Sequence, residues 1–436
     1  MRTSECGNAA SKRPPSRSLL QPLLSDEPWV AAVDDFRTRN PRRTPRIAGY
    51  QELLADGVHR RVAEAVLDGR YRPAPPRETW LNKVDGRKKR VFQYEPVDEL
   101  LCKVVNRLLQ PAASEAASPW CRSFLPGGGA RAAFRAVVAD PDLDAKAALR
   151  LDVRDYFNSI DVADLMARLP EPFTSGTVGA LLDHALFDRR VCRGGHVVED
   201  AHKGVMAGTP LAPLLATLYL RDLDCEVVAH GATYSRYSDD VLVLAAPNAL
   251  ATLEALIRDR LRERGLEVNE AKSSVTSVGE PWDFLGFRHA NGQISLAAIT
   301  EHKLRARSTR LARALLRWRE QTNASTERTL RAFFRTTNRR LYGVPTERAH
   351  FSWTTWFLPM LDTPDALGPL DHHVQREARY AATGRRTARA RGDIPYSALT
   401  EAGHRPLVSA FWELRDVRRE RPRHERGLPS PRRRAH

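Results

Sequence analysis

The sequence predicts an α+β fold in which antiparallel strands are backed by helices and followed by a basic helical region. Two apolar stretches that run into acidic residues carry the strand reading: Ala148-Leu149-Arg150-Leu151-Asp152, and Tyr234 through Leu244 with Asp239-Asp240 at its middle. Between them, Val205 to Leu220 is free of charge until Arg221 and reads as a buried helix. Beyond Gln293 apolar residues fall at helical spacing instead, with Leu304, Leu311, Leu315 and Trp318 separated by 7, 4 and 3 positions.

In chain order, residues 1–45 are expected to form a basic, disordered N-terminal segment, since Met1 to Arg17 is rich in Ser, Arg and Pro and has no apolar stretch. Tyr50 to Leu67 repeats Leu53, Leu54, Val58, Val62, Ala65 and Val66 at helical spacing, and Pro73, Pro75 and Pro76 end that region. Trp80 to Gln93 is expected to be a basic hairpin, with Lys83, the turn dipeptide Asp85-Gly86, then Arg87, Lys88, Lys89 and Arg90. Asp98 to Leu109 returns to the helical period. The run Pro126-Gly127-Gly128-Gly129 lacks the Gly-Lys-Ser/Thr ending of a phosphate-cradling loop and reads as a plain turn before a helix from Arg131 to Val138. In Lys303 to Arg319 the cations Lys303, Arg307, Arg310 and Arg317 lie off the apolar face, where they can meet phosphates. Val374 to Ala382 and a small unit from Pro395 to Trp412 are helical. The stretch Arg415 to His436 carries nine Arg against three acids (9 − 3 = +6) and is expected to be disordered.

The 436 residues hold 69 Lys+Arg against 53 Asp+Glu, a net charge of +16. That balance excludes an acidic solvating protein and favours a polyanionic partner, with nucleic acid ahead of a membrane. No window reaches the roughly 18 uninterrupted apolar residues of a membrane span, so no membrane partner and a cytoplasmic location are expected. The five cysteines Cys6, Cys102, Cys121, Cys192 and Cys225 are odd in number and unpaired by spacing, which argues against a disulfide framework. Cys192, His196 and His202 are too irregularly spaced for a structural zinc site.

Tyr237-Ser238-Asp239-Asp240 sits between apolar residues without Gly or Pro, the pattern of a hairpin presenting its turn. Adjacent carboxylates repel and are costly as a purely structural device, whereas a divalent cation removes that cost. Asp152, 87 positions upstream (239 − 152), ends another strand and can share such ions. Three aspartates at strand ends suit Mg2+ and a two-metal site for phosphoryl transfer.

These residues resemble the reverse transcriptases, in particular the bacterial group that includes group II intron maturases and retron enzymes. Leu151 to Ile160 is similar to the family's first palm motif and Gly204 to Leu215 to its second. Tyr237 to Asp240 resembles its x-Asp-Asp turn, Leu266 to Lys272 the motif after it, and Phe284-Leu285-Gly286-Phe287 its primer-grip hairpin. Lys83 to Arg90 with Glu95-Pro96-Val97-Asp98 resembles the fingers segment that holds the incoming triphosphate. The six occur in the family's order, between Tyr71 and Phe287.

The resemblance implies a right-hand polymerase fold: fingers over 46–146, a palm with an antiparallel sheet over 147–292, a helical thumb over 293–345, a C-terminal helical region over 346–414 and an Arg-rich tail over 415–436. It implies RNA-directed DNA synthesis from dNTPs on an RNA template with a DNA or RNA primer, using Mg2+ or Mn2+. Asp152 and Asp239 would bind the ions, with Asp240 in support and the Val153 carbonyl as a further ligand. Arg90 first, then Lys83, would neutralise phosphate charge. Lys272 would donate a proton to pyrophosphate, or is a surface lysine after a turn. Phe157 would be the aromatic gate against a 2′-hydroxyl, or a core residue. Gly208 is the second Gly of the second motif, and Ala207 before it stands where many members carry the Gln that lines the template and nucleotide pocket. Two further readings remain: template-independent or protein-primed DNA synthesis in antiphage defence, and a maturase-like RNA-binding protein that assists splicing. A dedicated structured non-coding RNA is a candidate partner, as for retron-like enzymes.

Overall fold

The computed structural model describes residues 17–82, 86, 88–201, 203–343 and 352–420. Lys83, Asp85, Arg87 and His202, all singled out above, lie outside the described residues, as do Cys6 and the tail beyond Glu420. The chain divides into two compact units, Met1–Gly279 and Glu280–His436.

Residues 1–16 of the expected disordered segment lie outside the described residues, and residues 17–45 are largely helical. Glu27–Arg39 is helical, and Trp29, Ala32, Val33 and Phe36 recur at helical spacing and are buried in the main core together with Leu20 and Leu23. Full burial of each larger side chain contributes roughly 1.5–3 kcal/mol, enough to order a segment that is polar on its other face. The expected Tyr50–Leu67 helix is two helices, Thr44–Ala55 and Val58–Leu67, because Gly57 turns the chain at φ +65°.

Strands β1 (Arg77–Asn82) and β2 (Lys88–Gln93) form the basic hairpin, paired antiparallel from Arg77↔Gln93 to Asn82↔Lys88. The long helix Pro96–Ala116 follows. Near its start the buried Asp98 accepts hydrogen bonds from the Tyr71 hydroxyl (2.6 Å) and the Ala74 N–H (3.1 Å), tying the proline-rich segment to the helix. After the helix Ala130–Val138 comes β3 (Ala147–Asp152), then β4 (Arg190–Arg193) and β5 (His196–Glu199), which extend the first hairpin into a sheet of order β2-β1-β4-β5. Cys192 and His196 belong to this added hairpin.

Strands β6 (Thr233–Tyr237), β7 (Asp240–Ala245) and β8 (Ser274–Thr276) complete an antiparallel sheet of order β6-β7-β3-β8. Helix Pro247–Glu263 packs on β3 and β7, and helices Ala130–Val138 and Arg221–Ala229 pack on β6. Val241 to Ala245 are all buried, and β3 buries every residue but Arg150, as central strands covered by helices must. The uncharged run from Val205 is not one helix. Met206 and Gly208 adopt φ +63° and +101°, so residues 205–211 form a loop and the helix spans only Ala212–Tyr219. Uniform apolarity signalled burial there, and burial is common to both structures.

The second unit opens on an antiparallel sheet of β9 (Trp282–Phe284), β10 (Phe287–Ala290) and β11 (Gln293–Leu296) in the order β11-β10-β9. Helices Ala298–Thr322, Thr326–Leu341 and Leu367–Thr383 then pack around Ala312, Leu330, Phe333, Phe334, Val374 and Ala378, with Leu311 and Leu315 at the margin. The last helix, Leu407–Glu420, runs past Arg415, which donates to the Leu361 carbonyl at 2.8 Å; the start of the expected disordered tail is therefore ordered. Among the described residues no helix is long and apolar enough to cross a membrane.

Lys203 is buried, with its ammonium donating to the Ala185 carbonyl at 3.2 Å, and desolvation lowers its pKa from 10.5 to about 8. A lysine whose folded pKa lies below its unfolded one binds fewer protons when folded, so its penalty is full below pH 8 and fades as pH rises towards 10.5. Lys203→Met should therefore raise the denaturation midpoint at pH 7, and that gain should shrink between pH 8 and 10.5 in parallel unfolding curves.

Candidate active site

The β6-β7-β3-β8 sheet brings three carboxylates to one end. Asp152, the last residue of β3, is the register partner of Asp240, the first residue of β7. Asp239 lies beside them in the two-residue turn Ser238-Asp239 that joins β6 to β7, since Tyr237 pairs with Asp240. Ser238 has φ +62° and Asp239 does not share it, the φ signature of a type II′ hairpin turn. The Val153 N–H donates to the Asp239 carbonyl at 3.0 Å, fastening the turn to the end of β3.

The carboxylates differ in their surroundings. Asp152 is 3% exposed and accepts from Lys272 Nζ at 2.5 Å and from the Asn269 amide at 2.9 Å. Asp240 accepts from Arg150 at 3.1 Å. Burial pushes the Asp239 carboxyl above the usual range, and the charges of Asp240 and Asp152 push it further. Among the described residues no three carboxylate, His or Cys side chains already converge in ion-binding geometry. The donor set nevertheless fits a hard divalent cation, because it is all oxygen and Asp239 carries a charge that its neighbours oppose and a cation would offset.

The turn rests on a buried ion pair that the sequence reading did not single out. Arg236 and Asp224 are both 0% exposed and joined at 2.7 and 2.8 Å. Arg236 also donates to the Thr217 carbonyl at 2.9 Å and the Ser238 carbonyl at 3.4 Å, and Tyr234 donates to Asp224 at 2.7 Å. A charged residue on an otherwise uncharged strand beside the motif was the available signal.

A second network centres on Asn158, also unassigned by the sequence reading. Its amide donates to Asp155 and to the Arg90 carbonyl (3.4 Å), and its carbonyl oxygen accepts from the Ala207 N–H at 3.1 Å. The Ala207 carbonyl in turn accepts from the Phe92 N–H at 2.7 Å. Gly208 lies against the same strand: a Cβ there would be 2.9 Å from the Phe92 carbonyl and 3.2 Å from Val91 Cβ, so no other residue fits. The second motif is thereby locked to β2.

The basic hairpin points its cations in two directions. Arg90 pairs with Glu78 at 3.2 Å and with Asp200, and Arg193 binds the same two acids. The expected first phosphate ligand is therefore largely enclosed in an ion-pair cluster between β1, β2 and the β4–β5 hairpin. Side chains alternate along a strand, so Lys89 takes the other face, where its ammonium lies 5.6 Å from the Phe157 ring centroid. Phe157 is half-buried, at the margin of the core. Its ring is 6.3 Å from Phe124, which is 5.9 Å from Tyr237.

Residues 87–289 match the family described as reverse transcriptase (RNA-dependent DNA polymerase). This span holds Asp152, Asp239, Asp240, Lys272, Phe157 and Gly208. No curated protein matches significantly. Among solved structures, apo telomerase from Candida Tropicalis, truncated from its C-terminal domain, is similar at 11% identity and a TM-score of 0.40, over 51% of this chain and 56% of that chain. The chain thus spans little more than half of that relative's length.

Asp239→Asn removes a half-buried charge opposed by two neighbours. Without added metal it should raise the thermal midpoint by roughly 2–4 °C, the scale of 1 kcal/mol in a unit of this size. Adding Mg2+ should stabilise the original protein and leave the variant unmoved.

Proposed function

Starting from a reverse transcriptase domain over residues 87–289, we propose that this protein is an RNA-directed DNA polymerase that extends a DNA or RNA primer with dNTPs on an RNA template. The observation that carries the reading is the register match of Asp152 with Asp240, with Asp239 in the turn beside them, inside the matched span. Asp152 and Asp239, with Asp240 and the Val153 carbonyl, would hold Mg2+ or Mn2+. Bound there, the ions would activate the primer 3′-hydroxyl and steady the departing pyrophosphate.

The chain's own side chains supply the rest. Lys89, on the Phe157 side of its strand, neutralises triphosphate charge, and Arg90 joins it by exchanging Glu78 and Asp200 for phosphate. Lys272 carries a proton beside Asp152 that can pass to the leaving pyrophosphate. Phe157 lies five residues beyond Asp152 and presents a flat ring where a ribose 2′-hydroxyl would clash. Arg and Lys along Ala298–Thr322 bind the duplex backbone, with a dedicated structured non-coding RNA as a candidate partner.

Template-independent synthesis is the second reading, and Ala207 favours keeping it. Ala207 is 2% exposed, both its N–H and its carbonyl are engaged, and its methyl group offers no amide to a templating base.

Purified protein with Mg2+, dNTPs and a primed RNA should yield full-length complementary DNA. Extension that ignores template sequence would select the second reading, and no incorporation on any substrate would sink both. Asp239→Asn should abolish incorporation with RNA affinity nearly unchanged. Phe157→Val should raise rNTP incorporation relative to dNTP by about 10-fold or more, the discrimination available to a packed pocket, measured as the ratio of kcat/KM values.

A further inference from the structure

Phe124 occupies a position that core packing does not explain. Its φ is +58°, a region a bulky residue enters only under constraint, yet the residue is 40% exposed. An exposed ring in a strained backbone gains little for folding. The constraint comes from the glycine run that follows. The Gly129 N–H donates to the Arg122 carbonyl at 2.7 Å, and a Cβ on Gly128 would lie 2.4 Å from that same oxygen. The segment before it is fastened to β6: Arg236 donates its N–H to the Trp120 carbonyl, and the Arg122 N–H donates to the Arg236 carbonyl. Phe124 is delivered to a fixed place on the hairpin that carries Asp239 and Asp240.

Its ring lies 5.9 Å from Tyr237, tilted by 43°, and 6.3 Å from Phe157, edge-on at 63°. Tyr237 immediately precedes the Ser238-Asp239 turn, and Lys89 lies 5.6 Å from Phe157. Three aromatic rings with a cation, beside the acidic end of the sheet, match one chemistry: a planar nucleobase attached to phosphate.

We infer that Phe124 is a stacking platform for a nucleobase at the reacting end of the nucleic acid, with Tyr237 and Phe157 as its neighbours. The inference rests on the polymerase reading for the site's identity, but its binding test needs no chemistry. Oligonucleotides ending 3′ in 2-aminopurine, or in an abasic site, are titrated against the original protein, Phe124→Ala, Phe124→Gly and Phe124→Trp. Glycine accepts the positive φ without strain, so Phe124→Gly separates loss of the ring from loss of fold.

The ring-less variants should bind the 2-aminopurine end on the order of 10-fold more weakly and quench it less, and should match the original protein on the abasic end. Phe124→Trp should restore both signals. If binding is unchanged but the KM for dNTP rises about 10-fold at constant kcat, the stacked base is that of the incoming nucleotide, which also supports the platform. Equal binding of every substrate by all four proteins with unchanged dNTP kinetics would overturn the inference, as would equal weakening on intact and abasic ends. Ring-dependent quenching in a protein that incorporates nothing would retain the platform and discard the polymerase.

Discussion

The buried pair of Arg236 and Asp224 is the interaction on which the rest of the site depends. Each charge alone in the core would cost several kcal/mol, and together they are satisfied by one another, by Tyr234 and by two backbone carbonyls. Through it, β6, the helices Ala212–Tyr219 and Arg221–Ala229 and the Ser238 carbonyl share one fixed point. Removing one partner of such a pair costs about 3–5 kcal/mol, so the turn is held far more firmly than its two residues could hold it.

That firmness answers an opposing force. Asp152, Asp239 and Asp240 repel one another, and nothing local favours their approach. Antiparallel pairing of β3 with β7 imposes it, Lys272 and Arg150 relieve two of the three, and Asp239 is left with a raised pKa. Stability is traded for a concentration of negative charge at one end of the sheet.

The same logic orders the β2-β1-β4-β5 sheet. Glu78 and Asp200 are almost fully buried acids that hold both Arg90 and Arg193, so the β4–β5 hairpin is joined to β1 and β2 by charge as well as by its single parallel register pair, Arg77↔Cys192. One consequence is a division of labour between two adjacent cations. Arg90 joins strands, while Lys89 faces Phe157.

Local signals in the sequence were sufficient for the hairpin Tyr234–Leu244, the strand ending at Asp152, the basic hairpin and the basic helix around Lys303–Arg319, because period and turn chemistry are properties of neighbouring residues. They misjudged residues 17–45 and 205–211. Trp29 and Phe36 acquire their stabilising energy from a core assembled elsewhere in the chain, and the Met206–Gly208 loop is shaped by close approach to β2. The sequence by itself determined which residues could bear the chemistry, since carboxylates at strand ends are informative wherever they occur. Only the tertiary structure decided that Asp152 meets Asp240, that Lys89 and not Arg90 faces Phe157, and that Phe124 joins Tyr237. Each is a pairing between distant segments, set by strand register, pleat and buried charge, and none of these can be read from one segment alone.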